Sequence, residues 1–85
     1  MPIPPAEVVI ELTIHPAEEG NGAPVEAGAR TARESGLAID IGPEGTGLAG
    51  SRDEVLEALA HVLEAALESG ARSIDVKVEV PSESR

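Results

Sequence analysis

Apolar and polar residues alternate in two segments of the chain, residues 7–15 and residues 73–80. The apolar positions of these segments are Val8, Ile10, Leu12, Ile14, Ile74, Val76, Val78 and Val80. A period of two is typical of a strand that turns one face to a core and the other toward polar surroundings. The alternation therefore predicts a first and a last strand, each with one buried face.

Two segments between these strands follow a helical period. The first begins near Pro24, which suits a first helical turn because it lacks an N–H, and ends at Gly36, a typical C-terminal cap. The second begins with Ser51 and Glu54 in a capping-box pattern. We expect its apolar stripe to face the core. The leucines of that stripe are Leu56, Leu59, Leu63 and Leu67, and Val55, Val62 and Ala66 flank them.

The residues between the two helices predict a hairpin. Residues 37–41 alternate, residues 42–45 form a Gly-Pro-Glu-Gly turn, and residues 46–50 return toward the second helix. In a β-α-β-β-α-β order, right-handed crossovers place the first and third strands in the centre of the sheet. We therefore predict an α+β ferredoxin-like sandwich, with antiparallel strand order 4-1-3-2 and both helices on one face.

One face of the predicted sheet has no helix to cover it, and it is a candidate for self-association and ligand binding. We expect it to carry Val9, Glu11, Thr13, Ala38, Asp40, Ala49, Asp75, Lys77 and Glu79. The length of 85 residues predicts a single domain over residues 1–85. The proline-rich residues 1–6 and residues 81–85 are expected to be flexible ends.

Composition excludes several classes of function. The formal net charge is −10, from 16 acidic and 6 basic residues, so the surface repels nucleic acid and anionic lipid. No aromatic residue is present to stack on a base or a flat cofactor, and no cysteine is present to form a disulfide or act as a nucleophile. The first residues, Met-Pro-Ile-Pro-Pro, have neither the basic start nor the apolar run that is typical of a signal peptide, and no stretch approaches the length of an apolar membrane span. We expect a soluble cytoplasmic protein.

Motifs spread over nearly the whole chain, roughly residues 10–80, resemble the thiamine-binding family of small ferredoxin-like proteins, the YkoF-like group. The motifs are Glu11-x-Thr13-x-x-Pro16, Gly36-Leu37, Gly42-Pro43-x-Gly45-Thr46, Gly50, Asp53-Glu54-Val55 and Gly70-Ala71. The chain departs from the family pattern at Glu44, where an apolar residue is usual, and at Ala49, where a glutamate is usual.

The resemblance implies a non-catalytic protein that binds thiamine or its hydroxymethylpyrimidine moiety and forms a homotetramer, a dimer of dimers. It implies no further cofactor, no catalytic residue and no metal ligand. In this interpretation Glu11 accepts from a pyrimidine amino group or balances a thiazolium charge. The ligand-binding residues that the resemblance implies are Glu11, Thr13, Gly42, Pro43, Gly45 and Thr46.

Each candidate residue also has a structural interpretation. Glu11 can face water or pair with Lys77 across the sheet. The glycines of residues 42–47 suit a tight hairpin better than a phosphate-binding loop, because no lysine is present and a strand follows instead of a helix. His15, at the end of the first strand, is a ligand contact or a solvated residue. His61 lies between acidic residues on a helix face, where a solvated charged surface is commoner than a metal site.

Two other classes of function stay open. The protein can be a homo-oligomeric assembly or regulatory domain that does not bind thiamine. An enzyme is the weaker alternative. Acylphosphatases share this topology, but they hold phosphate with an arginine in the loop after the first strand, and residues 16–23 contain neither arginine nor lysine.

Overall fold

The computed structural model describes residues 7–42 and 45–81. The elements in chain order are β1 (Val8–Pro16), α1 (Ala23–Glu34), β2 (Ala38–Gly42), β3 (Gly45–Gly50), α2 (Arg52–Glu68) and β4 (Ala71–Glu79). The strands form one antiparallel sheet in the order β2-β3-β1-β4, which is the predicted order seen from the other edge. The predicted α+β ferredoxin-like fold is confirmed.

Some predictions concern residues that the structure does not describe. The proposed ligand residue Pro43, the neighbouring Glu44, and the two ends apart from Pro81 lie outside the described residues. Within residues 7–42 and 45–81, neither helix is long and apolar enough to cross a membrane.

The core lies between one face of the sheet and the two helices. Ile10 and Leu12 of β1 and Leu48 of β3 are at most 1% exposed. They belong to one buried cluster with Ala32 of α1 and Val55 of α2. Because side chains alternate along a strand, burying these residues directs their neighbours to the other side of the sheet. We call that uncovered side the open face.

The predicted apolar stripe of α2 faces the core through Val55, Val62 and Ala66, and the leucines lie to one side of these residues. Its buried residues are Val55, Ala58, Val62 and Ala66. Of the predicted leucine stripe, Leu59 and Leu63 are half-buried at the border of the core, while Leu56 and Leu67 are exposed. Val62 lies against Gly28 of α1, where an added Cβ would make an ordinary contact of 3.5 Å with Cγ1 of Val62 but would lie only 2.6 Å from Cδ1 of Ile14. The residues that α2 buries are valine and alanine, and the longer leucines lie beside them.

The ends of the elements follow the predicted signals. Ser51 is the N-cap of α2, and its hydroxyl accepts from the Glu54 N–H at 3.4 Å and donates to the Glu54 carboxylate at 2.9 Å. Gly36 and Gly70 follow the two helices with φ of +78° and +105°, a region that glycine enters without steric cost. The capping predictions are therefore confirmed, although the Glu54 side chain contacts the serine hydroxyl.

Candidate functional site

One row of residues crosses the open face from edge to edge. The antiparallel registers place Glu11 of β1 opposite Lys77 of β4 on one side and opposite Gly47 of β3 on the other. Gly47 is in turn opposite Asp40 of β2. Residues directly opposite in antiparallel strands share a face of the sheet. The row is therefore Lys77, Glu11, Gly47 and Asp40, in which a glycine separates two carboxylates.

The next row toward the hairpin is built from a hydroxyl and two more glycines. The β1–β3 register pairs Leu12 with Thr46, and its continuation brings Thr13 beside Gly45. Gly45 pairs with Gly42 of β2. The absence of side chains at three neighbouring glycines lowers the floor of the open face between β1 and β2.

The glycines differ in what they contribute to the fold. A Cβ on Gly45 would collide with the main-chain carbonyl oxygen of Leu12, so the close approach of β1 and β3 at this point requires glycine. A Cβ on Gly47 would meet its nearest atom, the Asp40 carbonyl oxygen, at an ordinary 3.6 Å. A Cβ on Gly42 would meet nothing within 4 Å. The sheet therefore tolerates a side chain at Gly47, and glycine there serves to leave space.

These two rows enclose a shallow depression of about 360 Å³. Its volume lies at the lower end of the range of small-molecule sites. The residues that line it are Glu11, Leu12, Thr13, Asp40, Gly42, Gly45, Thr46 and Gly47. Five of the six residues in the sequence-based site prediction are among them, and the sixth, Pro43, is outside the described residues.

Thr46 occupies a different position from the other predicted residues. It pairs with Leu12 and Ile41, and its residue surface is only 4% exposed. Since Leu12 belongs to the buried side of β1, the register puts the Thr46 hydroxyl on the helix side of the sheet. We infer that Thr46 borders the depression with main-chain atoms.

Sequence reasoning missed Asp40 and Gly47 as site residues. The alternation of Ile39 and Ile41 had placed Asp40 on the open face, but nothing in the linear pattern aligned it with Glu11. Only the combined registers of three strands bring the two carboxylates to opposite sides of Gly47. Gly47 itself carried no signal apart from its place in a glycine-rich segment.

The charge on the open face is predominantly negative. Glu11, Asp40 and Asp75 are exposed, and Lys77 brings a positive charge, with its Nζ 3.4 Å from a carboxylate oxygen of Glu79. Excess negative charge around a concave surface attracts cationic ligands. The electrostatics of the depression therefore suit a positively charged or hydrogen-bond-donating ligand.

Neither histidine lies in the depression. Nε2 of His15 is 2.9 Å from Oδ2 of Asp75, a cross-sheet pair near the end of β1. His61 lines a second depression of about 310 Å³ between α2 and the residues after α1. Among the residues that the structure describes, no group of three or more histidine, cysteine or acidic side chains is arranged to hold a metal ion.

Comparison with solved structures gives the same fold in proteins of low sequence identity. A Streptococcus pneumoniae protein has a TM-score of 0.73 and 20% identity, with 91% of this chain and 87% of that chain covered. A proposed thiamine biosynthesis/salvage protein from Thermotoga maritima has a TM-score of 0.70 and 14% identity, with 89% and 83% covered. A domain of unknown function, DUF77, from Bacillus cereus has a TM-score of 0.70 and 18% identity, with 89% and 75% covered.

No model of a protein family matches this sequence. No curated protein matches it either. The structural likenesses therefore define the class of protein by fold, a small ferredoxin-like domain, at identities too low to carry a function with them.

Proposed function

We propose that this protein is a non-catalytic binding protein for thiamine or its hydroxymethylpyrimidine moiety, and that the depression on the open face is its binding site. One observation carries the proposal. The family resemblance singled out residues that are distant in the sequence, and Glu11, Thr13, Gly42 and Gly45, from three different strands, border one depression. The Thermotoga maritima neighbour, described as a proposed thiamine biosynthesis/salvage protein, supports the same ligand class.

The chemistry of the depression fits this ligand class. Thiamine joins a cationic thiazolium ring to an aminopyrimidine ring, which donates hydrogen bonds. Glu11 and Asp40 supply carboxylate acceptors on two sides of Gly47. Neighbouring strands lie 4.7–4.9 Å apart, so the two main chains that carry these carboxylates are separated by about 10 Å. A flat ring can lie on the glycine floor within that space.

Titration calorimetry with three ligands tests the proposal. We expect thiamine and hydroxymethylpyrimidine to bind, and thiamine diphosphate to bind more weakly because its phosphates meet an acidic surface. Glu11→Gln removes the charge and nearly preserves the shape. A charge-assisted hydrogen bond contributes about 1.5–3 kcal/mol, so affinity should fall about ten- to a hundredfold.

The matched control is Glu64→Gln, which removes the same charge from an exposed position on α2. It should leave affinity unchanged, because α2 covers the opposite face of the sheet. If the Glu11→Gln variant bound thiamine as tightly as the wild type, thiamine binding would still hold, but the binding site would have to lie elsewhere. If none of the three ligands gave a measurable heat of binding at millimolar concentration, the hypothesis of thiamine binding would be rejected.

The second candidate function is a homo-oligomeric assembly or regulatory domain without thiamine binding. The observation that favours it is the exposure of apolar residues on β4, where Val76 and Val78 are 39% and 52% exposed. Both functions are compatible with the homotetramer, a dimer of dimers, that the family resemblance implies. The cytoplasmic location remains part of the proposal and rests on the sequence alone.

A further inference from the structure

Strand β4 forms one edge of the sheet and leaves apolar side chains uncovered. Among the described residues it pairs with β1 alone. The register places Val76 opposite Leu12 and Val78 opposite Ile10, so both valines lie on the helix side of the sheet. They nevertheless remain 39% and 52% exposed, whereas Leu12 and Ile10 are at most 1% exposed.

Helix α2 extends this uncovered apolar surface. The side of α2 that carries Glu57 and His61 borders the second depression, which Ser35 just after α1 also lines. The leucines lie roughly 100° or more around the helix from that side, since each residue advances about 100°. They therefore face away from α1 on a helix that contacts β4, and Leu59, Leu63 and Ile74 pack against the same core cluster. The β4 apolar strip, as we name this surface, comprises Leu59, Leu63, Leu67, Ile74, Val76 and Val78.

The residues of β4 are complementary to themselves in one antiparallel register. When Val76 lies opposite Val76 of a second copy, Ile74 lies opposite Val78, and every pair on the helix side is apolar. On the open face the same register sets Lys77 opposite Asp75 twice, and Glu79 opposite Ser73. Opposite charges facing each other across antiparallel strands are stabilising, and like charges are destabilising.

Three other symmetric registers are worse. Centring the pair on Lys77 brings the two lysines together and sets Asp75 against Glu79. Centring it on Asp75 opposes the two aspartates. Centring it on Val78 satisfies Lys77 with Glu79, but the pairing then runs past the end of β4 at Glu79 into Pro81, which lacks an N–H.

We propose that two copies of this chain pair through β4, antiparallel and centred on Val76, to form one continuous eight-stranded sheet. The pairing covers the unpaired edge of β4 and brings the two apolar strips together on the helix side. Such an interface is isologous and closes on two copies. It leaves the depression between β1 and β2 accessible in each copy, and it holds whether or not the proposed ligand binds.

The chain contains no cysteine, so single-cysteine variants report the register directly. In the proposed dimer the two Val76 Cα atoms lie 4.5–5.5 Å apart, within the range that a disulfide spans. Val76→Cys should therefore give a covalent dimer on mild oxidation. The two Val78 Cα atoms would be offset by four residues along the strands, about 13 Å, so Val78→Cys should not cross-link.

Val25→Cys is the control for nonspecific disulfide formation between molecules that collide in solution. Val25 is 43% exposed and lies on α1, away from β4. Light scattering of the wild type should give twice the 8.7 kDa monomer mass or a higher even multiple. Thermal melts under reducing conditions should show that all three variants fold.

Four results would overturn the proposal. They are a wild-type mass equal to the monomer at micromolar concentration, cross-linking of Val78→Cys in preference to Val76→Cys, equal cross-linking of Val25→Cys and Val76→Cys, and an oligomer that no variant cross-links. Selective and near-complete cross-linking of Val76→Cys would support both the edge and the register.

Discussion

Filling the floor of the depression should separate ligand binding from stability. Gly47 lies between Glu11 and Asp40 on the open face, and a Cβ there makes only ordinary contacts. Gly47→Val should therefore fold. It should raise the free energy of unfolding by about 0.5–1 kcal/mol, because glycine inside a strand is entropically unfavourable and valine suits a strand.

The same substitution should weaken the proposed ligand binding. A valine side chain between the two carboxylates prevents a ring from lying on the floor and contacting both. Loss of one charge-assisted hydrogen bond, about 1.5–3 kcal/mol, corresponds to an affinity about ten- to a hundredfold lower. Ala49→Val is the matched control, since Ala49 lies on the same strand and face, one row farther from the hairpin and outside the depression.

Urea denaturation and thiamine calorimetry on the two variants measure the two effects. We expect Gly47→Val to be more stable and to bind weakly, while Ala49→Val binds as the wild type does. Unchanged affinity in Gly47→Val would refute the assignment of the depression. An equal loss of affinity in both variants would place the binding surface elsewhere on the open face.

Two predictions concern the fold. Ser51→Ala should lower the free energy of unfolding by about 0.5–2 kcal/mol in thermal melts, because the cap accepts a first-turn N–H, and Arg52→Ala should change it by less than about 0.5 kcal/mol. Equal and negligible effects would mean that the cap does not hold the helix end. Gly45→Ala should cost about 1–3 kcal/mol in urea denaturation, because the new methyl group meets the Leu12 carbonyl, whereas Gly42→Ala should be nearly neutral. A neutral Gly45→Ala would contradict the close approach of β1 and β3.

The fold was predictable because local signals agree with one another. The alternation around Ile10 and Leu12, the cap at Ser51 and the glycines after both helices each specify one element or boundary. Their order then leaves few topologies for a single sheet with both helices on one face. The structure has that topology.

The errors came from packing, which a linear pattern does not contain. Leu56 and Leu67 have the correct helical spacing for a core stripe, but α2 buries the neighbouring valines and alanines and leaves these two leucines exposed. Val76 and Val78 occupy the buried side of β4 and still remain exposed, because β4 is an edge strand. Periodicity identifies the side of an element, and the neighbouring elements decide whether that side is covered.

The candidate site was predictable only in part for a related reason. Glu11, Thr13 and the hairpin glycines were found through the family resemblance. Pairing Glu11 with Asp40 required two strand registers, which depend on how the hairpin docks beside β1. The position of the Thr46 hydroxyl, on the helix side of the sheet, depends on the same registers.

We propose above that the glycine-floored depression of the open face binds thiamine or its pyrimidine half. Titration of the ¹⁵N-labelled protein with thiamine, followed by amide chemical shifts, tests it most directly. We expect saturable shifts concentrated at Glu11, Thr13, Asp40, Gly45 and Gly47, with little change near His61 at the second depression. Shifts clustered around His61, or no shifts at millimolar thiamine, would contradict it.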